Sequence, residues 1–256
     1  MPLATSIEMS TTTSYDEVPY HSVPFPQTHP NRLAAVARLF GLDPPAPSRC
    51  RILELGCAGG GNLIPMALTL PGARVVGIDL SQRQVAEASR MIEALGMGNV
   101  ELRYGNILEV DAGFGEFDYI ICHGMYSWVP APVQDRILMI CSRNLAANGV
   151  AYVSYNTYPG WHVYGMIRDM MLYHTRPLRD AGARVGQVRA LLDFLSQSVP
   201  QENNPYGILL KQALDLLRGK PDDYLFHEYL EDVNEPVYFH QFAERAAEHG
   251  LQYVGE

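Results

Sequence analysis

A glycine-rich turn directly after a short apolar run holds the residues best suited to chemistry. The turn reads Glu54-Leu55-Gly56-Cys57-Ala58-Gly59-Gly60-Gly61, and Asp79 closes the next apolar run. Gly56 and Gly60 allow a left-handed backbone and a close approach of a ligand to the chain. Free N–H groups at the start of the following helix can point at a polar ligand group, and a carboxylate at position 79 can accept both hydroxyls of a ribose. The pattern predicts a nucleotide-like ligand.

Two nucleotide cofactors compete for this turn. NAD is the rival, because Gly56-x-Ala58-x-x-Gly61 is a degenerate dinucleotide fingerprint. Glu54 stands two residues before the first glycine, where a carboxylate would crowd a pyrophosphate but suits the cationic amino group of a methionine moiety. The spacing Glu-x-Gly-x-Ala-x-Gly also matches the pattern for S-adenosylmethionine (SAM), except that Ala58 replaces a glycine. We therefore expect SAM, with S-adenosylhomocysteine (AdoHcy) as product, ahead of NAD and ahead of a turn that binds nothing.

Further cofactor contacts are expected at the ends of other strands and in the N-terminal arm. The amide oxygen of Asn106 can accept from the adenine amino group, and the N–H of Ile107 can reach a ring nitrogen. Leu80 would stack on adenine, and His29 would reach the cofactor carboxylate. The expected cofactor-binding residues are Tyr15, His29, Glu54, Gly56, Cys57, Ala58, Gly60, Asn62, Asp79, Leu80, Asn106, Ile107 and His123.

Two aromatic segments follow the fourth and fifth predicted strands, at the edge where ligands bind in open α/β sheets. Methyl transfer is an in-line displacement, so the enzyme must align a deprotonated nucleophile and exclude water. Aromatic walls do this and attract cations. The expected catalytic residues are His123, Tyr126 and Tyr155, and the expected substrate contacts are Tyr126, Trp128, Asn156, Tyr158 and Trp161. The alternative is that these rings only pack the base of a helical lid and that His123 is structural.

The elements that position these residues alternate between strand and helix. The pattern predicts a Rossmann-like α/β fold, with a mostly parallel sheet flanked by helices and a C-terminal helical segment. Predicted strands cover residues 51–55, 74–79, 100–104, 117–122, 150–155 and 251–255. Predicted helices cover residues 32–40 (capped by Asn31), 60–70, 82–95 (capped by Ser81), 132–145, 162–175, 184–197, 205–218 and 238–249.

Composition narrows the classes of function. The 256 residues are 47% apolar and 18% charged, as in ordinary globular proteins. No apolar run reaches the roughly 18–20 residues of a membrane helix. The cysteines form no C-x-x-C pair, and as reduced thiols they suit a cytoplasmic protein. The net charge of −9 disfavours nucleic acid and mildly favours a cationic substrate. No metal-ligand spacing is present.

Several segments together resemble one family, the bacterial class I methyltransferases that carry a methyltransferase regulatory domain. Those segments are Ser14-Tyr15-Asp16-Glu17-Val18-Pro19-Tyr20, residues 24–30, Glu54-Leu55-Gly56-Cys57-Ala58, residues 123–130 and residues 155–161. The resemblance implies SAM contacts at Glu54, Gly56, Asp79 and around Asn106, and a regulatory region from about Gly219. Some rickettsial members are protein-lysine methyltransferases that act on outer-membrane protein. A small-molecule acceptor, and a SAM-binding regulator without turnover, remain alternatives.

We divide the chain into three parts. Residues 1–40 form an arm and helix that cap the cofactor site, residues 41–161 the SAM-binding core, and residues 162–256 a helical segment with the start of the regulatory region, ending at a sixth strand. Class I sheets normally finish with a hairpin, and no residues remain for a seventh strand. We therefore expect a piece of a longer protein, or a homodimer formed through an exposed sheet edge.

Overall fold

A parallel five-stranded sheet forms the centre of the computed structural model, which describes residues 14–20 and 22–255. The strand order is β3-β2-β1-β4-β5. The chain moves outward in one direction from β1 to β3 and then crosses back to β4, so a ligand crevice is expected at the carboxyl ends of β1 and β4. The strands are β1 Arg51–Leu55, β2 Arg74–Asp79, β3 Val100–Tyr104, β4 Phe117–Cys122 and β5 Leu145–Val153, and a separate parallel pair is β6 Thr157–Tyr158 with β7 Val237–Tyr238.

Ten α-helices lie within the described residues. They are α1 Ser14–Glu17, α2 Pro30–Leu39, α3 Leu63–Thr69, α4 Gln82–Ala94, α5 Ala131–Arg143, α6 Trp161–Thr175, α7 Ala181–Ser198, α8 Pro205–Arg218, α9 Asp222–Tyr229 and α10 Phe239–Glu248. None is long and apolar enough to cross a membrane.

Alternate residues of the buried strands face two different cores. Ile52 packs with α2, α3 and α4 on one face of the sheet, and its neighbour Leu53 packs with α5 on the other. A third core joins α6, α7, α8 and α9. The three central strands, β2, β1 and β4, are buried on both faces, as is typical of parallel sheets.

The bounds of β1 to β4 agree with the predicted strands. The fifth strand starts earlier than predicted, because residues 147–149 form an irregularity within β5 rather than a turn before it; Asn148 adopts a φ of 58° there. The preceding helix α5 accordingly ends at Arg143. Helix α3 starts at Leu63, three residues later than predicted, because the glycine-rich turn occupies residues 56–61. Helix α2 is capped by the side chain of His29, which accepts the N–H of Asn31, so the predicted Asn31 cap was wrong.

The predicted sixth strand at residues 251–255 is absent from the described residues. Gly250 has a φ of 73° and the N–H of Leu251 donates to the carbonyl of Ala246, which ends α10 in a left-handed cap. Leu251 then packs into the core under α5, and Gly255 lies against the ring of Phe40. Residues 251–255 pair with none of the strands in the described part of the chain.

Candidate functional site

The glycine-rich turn is fastened to the end of β2. The N–H groups of Gly56 and Cys57 both donate to the carbonyl of Ile78, at 2.9 and 3.2 Å. Gly56 has a φ of 72°, and a side chain there would come within 2.9 Å of the Met125 sulfur. Glycine is therefore required at position 56 both by the backbone and by the space available.

Asp79 holds the same turn through its carboxylate. One oxygen accepts the N–H of Ala58 and the other accepts the N–H of Ser81, each at 2.8 Å. Burial raises the pKa of Asp79, and the hydrogen bonds from these backbone N–H groups oppose that rise. Each carboxylate oxygen has a second lone pair, so Asp79 can still accept hydroxyl groups of a ligand.

Glu54 is a buried carboxylate with one oxygen unused. The residue is only 4% exposed, and its Oε1 accepts a hydrogen bond from Asn62 Nδ2 at 2.7 Å. Oε2 is buried and has no hydrogen-bond partner within the part of the chain that the structure describes. Burial raises the pKa of Glu54 to about 7, against the Asn62 hydrogen bond, and the nearby Asp79 adds to the rise. A buried carboxylate oxygen without a partner is costly unless a ligand supplies a donor, and an ammonium group fits it.

The N-terminal arm covers this region from the side of α4. Asp16 accepts the hydroxyl of Ser81 at 2.6 Å, and the Tyr15 carbonyl accepts from Gln84 at 3.4 Å. The ring of Tyr15 stacks on His227 of α9, with ring centroids 4.3 Å apart. Burial raises the pKa of Tyr15, and the negative charges of Glu231 and Asp79 add to the effect. Helix α1 thus bridges Ser81, at the start of α4, and His227 of α9.

His123 follows β4 and is held by the arm. Its ring stacks on Phe25 with centroids 3.9 Å apart, and Nε2 lies 3.3 Å from the amide nitrogen of Gln27. A second ring, Tyr152, lies on the sheet side at 6.0 Å. Burial lowers the pKa of His123, so the neutral imidazole is favoured at neutral pH.

Several residues expected to contact the cofactor also make contacts within the protein. The amide oxygen of Asn106 accepts the N–H of Leu108 at 3.0 Å and caps its own turn, and Ile107 is buried in the core. The thiol of Cys57 is buried next to β2. His29 uses Nδ1 to cap α2, and its Nε2 lies 3.0 Å from the hydroxyl of Thr69. Gly60, with a φ of 73°, shapes the turn, and Leu80 remains partly exposed beside Asp79.

The aromatic segments gather where the core meets α10. Tyr126 is fully buried; its ring packs edge-on against Phe242, and its hydroxyl lies 3.5 Å from Arg245. Tyr155 stacks on Phe242 at 4.2 Å, and its ring lies 6.1 Å from that of Tyr126. These two expected catalytic side chains therefore contact the regulatory segment.

The remaining expected substrate residues lie at the same boundary. Trp161 donates its indole N–H to Asn234 at 2.8 Å and packs edge-on with Trp128. Tyr158 pairs with residue 238 in the small sheet, and the Asn156 carbonyl accepts the N–H of Val237 at 3.0 Å. The loop after β5 is thus a docking surface for residues 234–245.

Sequence reasoning missed the residues that join the arm to the rest of the molecule, Gln27, Thr28 and His227. Their contacts span 34 to 209 positions along the chain, so local periodicity carries no signal for them. All four cysteines are buried and unpaired. Within residues 14–20 and 22–255, no group of three or more His, Cys, Asp or Glu side chains is arranged to hold a metal ion.

Comparison with known proteins places this geometry in a family. One family model, described as a methyltransferase domain, matches residues 52–149, and another, described as a predicted methyltransferase regulatory domain, matches residues 221–256. The protein RP028 of Rickettsia prowazekii is 41% identical over 233 residues, which are 91% of this chain and 93% of RP028. The chain belongs to the class I methyltransferases that carry a regulatory domain.

Two further relatives are longer than this chain. RP789 of Rickettsia prowazekii is 48% identical over 94% of this methyltransferase chain but only 44% of its own length. The structure of PKMT2 from Rickettsia typhi in complex with AdoHcy superposes with a TM-score of 0.86 at 40% identity, over 93% of this chain and 46% of PKMT2. The chain therefore spans less than half the length of both relatives, and the superposition shows that it has the class I, Rossmann-like methyltransferase fold.

Proposed function

We propose that this chain transfers the sulfonium methyl group of SAM to an amine, with a lysine side chain of a protein as the acceptor. The observation that carries the proposal is the buried Glu54 carboxylate beside the glycine-rich turn. Its free Oε2 suits the ammonium group of the methionine moiety, and Asp79 presents two carboxylate oxygens at the end of the neighbouring strand, as a ribose requires. The AdoHcy bound to PKMT2 supports the same ligand for this chain.

SAM supplies a methyl group on a positively charged sulfur. An amine nitrogen attacks this methyl group in line, and AdoHcy is the leaving group. The protein must hold this donor, exclude water and accept the proton that the amine loses. His123 is the proposed proton acceptor, because burial favours its neutral form and its position after β4 lies at the ligand edge of the sheet. Phe25 stacks on its ring, and Nε2, which accepts from the Gln27 amide at 3.3 Å, exchanges that hydrogen bond for the proton of the amine.

The choice of a lysine acceptor rests on charge and kinship. The net charge of −9 favours an approaching cation over an anion. The resemblance to rickettsial protein-lysine methyltransferases points to the same acceptor. A small-molecule amine or hydroxyl is the competing acceptor, and binding of SAM without turnover is the competing activity.

A labelled methyl-transfer screen tests the proposal. Calorimetry first measures whether the purified chain binds SAM and AdoHcy. Radiolabelled SAM is then incubated with the chain and either a cell lysate or a set of small amines and phenols. Label on protein, with methyl-lysine after hydrolysis, is expected. Label on small molecules alone would show that the acceptor is a small molecule and not lysine. Label on neither would indicate a SAM-binding regulator without turnover. Absence of SAM binding would overturn the proposal.

A further inference from the structure

Asn62 links the arm to the carboxylate that faces the proposed ligand. Its Nδ2 donates to Glu54 Oε1 at 2.7 Å and to the Thr28 hydroxyl at 3.0 Å. Its Oδ1 accepts the backbone N–H of Phe25 at 2.8 Å. Both amide protons and the carbonyl oxygen are therefore engaged within the protein. The sequence suggested Asn62 as a cofactor contact; in the structure the hydrogen bonds of its side chain go to Glu54, Thr28 and the Phe25 backbone.

The direction of these bonds is set by the arm. The Phe25 N–H can only donate, so it fixes the carbonyl end of the Asn62 amide on the arm side. The Thr28 hydroxyl donates to the Phe25 carbonyl at 2.9 Å, which leaves its oxygen to accept from Asn62. A reversed amide would place the Asn62 oxygen against the Glu54 carboxylate, which is repulsive. The amide nitrogen therefore faces Glu54.

Burial makes this chain of bonds sensitive to the loss of any member. Thr28 has no exposed surface, Glu54 is 4% exposed and Asn62 is 5% exposed. Water cannot readily replace a missing partner at such sites, so each lost bond leaves an unsatisfied polar group.

We propose that Thr28 and Asn62 are positioning residues for the methionine end of the ligand: the arm fixes Asn62, and Asn62 holds Glu54 so that one oxygen is satisfied and the other is left for an ammonium group. This inference rests on the proposed function. It assigns to the arm a part in binding that goes beyond covering the site, because the carboxylate owes its orientation to a residue 26 positions earlier in the chain.

Three ligands separate positioning from general folding. SAM and AdoHcy carry the ammonium group, whereas 5′-methylthioadenosine has the same adenosine and lacks the amino acid end. Thr28→Val removes the hydroxyl at nearly constant volume, and Thr28→Ser keeps it. Thr175→Val is the matched control, since Thr175 is as fully buried as Thr28, its hydroxyl bonds the Met171 carbonyl within α6, and it takes no part in holding Glu54.

The measurement is the dissociation constant of each ligand by calorimetry, on variants whose thermal unfolding shows that they are folded. We expect Thr28→Val to weaken SAM and AdoHcy by about 3- to 10-fold, the value of one buried hydrogen bond, while methylthioadenosine binding stays within about 2-fold. Thr28→Ser and Thr175→Val should match the wild type for all three ligands.

The remaining outcomes decide against one proposal or the other. An equal loss for all three ligands in Thr28→Val would make Thr28 a structural residue and overturn the inference. Unchanged binding of all three would overturn it as well. If Thr28→Val does not fold, Asn62→Leu is measured against the same ligands and the same criteria. A wild-type chain that binds none of the three would instead overturn the proposed function, and the inference with it.

Discussion

The carboxylate of Asp79 accepts the backbone N–H of Ala58 at 2.8 Å, and this bond joins the end of β2 to the glycine-rich turn that follows β1. The other oxygen of Asp79 accepts the N–H of Ser81, at the start of α4. One side chain therefore sets the spacing between two segments that face the same ligand crevice. The residue expected to bind ribose is also the residue that shapes the turn.

Asp79→Asn tests whether one residue both stabilises the turn and binds SAM. An asparagine has one acceptor oxygen, so one of the two N–H groups would face an amide donor. We expect the free energy of unfolding to fall by about 1–3 kcal/mol and SAM binding to weaken at least about 10-fold. Chemical denaturation and calorimetry measure these. The control is Asp111→Asn, which alters a similar backbone cap at Gly113 in an exposed turn and should leave SAM binding intact. Unchanged SAM affinity in Asp79→Asn would remove Asp79 from the site.

Ala58→Gly tests the departure from the usual glycine pattern. Ala58 has a φ of 46°, in the left-handed region that costs an L-residue roughly 1–2 kcal/mol. Glycine relieves this cost but loses more freedom on folding, about 0.5–1 kcal/mol. We expect a stability equal to the wild type or higher by up to about 1 kcal/mol, measured by denaturation. Ala58→Val should destabilise, because a β-branched side chain is poorly tolerated there. A clear loss of stability in Ala58→Gly contradicts the strain argument.

The pH dependence of stability follows from the raised pKa of Glu54. In the folded protein the Glu54 carboxyl keeps its proton up to about pH 7, whereas the ordinary pKa of a glutamate is 4.5. The contribution of the protonated Glu54 to stability is therefore fully present below about pH 4.5 and is lost as the pH rises through about 7. The shift corresponds to about 3 kcal/mol. Without ligand, the free energy of unfolding of Glu54→Gln should therefore rise relative to that of the wild type as the pH increases from about 4.5 to about 7, by up to about 3 kcal/mol.

Denaturation of both proteins across that pH range measures the difference. Glu228, whose pKa burial also raises to about 7, contributes equally to both and cancels. The same Glu54→Gln variant should bind SAM about 10- to 150-fold more weakly, the range for a hydrogen bond to a charged group. A flat stability difference for Glu54→Gln would mean that Glu54 does not titrate as described.

Tyr126→Phe distinguishes packing from catalysis. Tyr126 has no exposed surface, and its hydroxyl lies 3.5 Å from Arg245. If its role is to pack against α10, kcat should stay within about 3-fold of the wild type and stability should change by less than about 1 kcal/mol. A fall in kcat of about 100-fold with normal SAM binding would show that Tyr126 is a catalytic residue.

His123→Asn tests the proposed proton acceptor. Asparagine keeps a polar side chain beside Gln27 but cannot take a proton at neutral pH. We expect kcat to fall about 100-fold or more, while the dissociation constant of SAM changes little. Steady-state kinetics and calorimetry separate the two effects. A variant with normal kcat would assign His123 to packing against Phe25.

Local sequence patterns were enough to predict the sheet. Strands such as Arg51–Leu55 and Arg74–Asp79 are short, apolar and bounded by turn residues, so their bounds and side-chain directions follow from sequence. The same holds for the Ser81 cap of α4. Residues 251–255 were also predicted as a strand, yet they pair with no strand of the described residues. A strand requires a hydrogen-bonding neighbour, and the local pattern of one segment does not show whether that neighbour is present.

The site was predicted in part. Glu54, Asp79 and the turn between them follow from residue type and spacing. The contacts of Tyr126 and Asn62 do not follow in this way, because each depends on a distant partner: Phe242 and Arg245 pack against Tyr126, and Thr28 bonds Asn62. Side-chain burial and hydrogen-bond capacity depend on tertiary contacts, which a single sequence does not record.

The anchoring of the arm on α9 has a consequence for how the protein is made. Ser14 bonds Glu231 and the Val18 carbonyl lies 2.6 Å from His227, contacts that join positions 217 and 209 apart. The arm is translated before the sheet, and its anchor on α9 is translated after it. Such distant contacts close late in folding. A nascent chain whose sheet has already formed can thus hold Phe25 and Thr28 against Asn62, whereas residues 14–18 gain their anchor only once α9 has emerged.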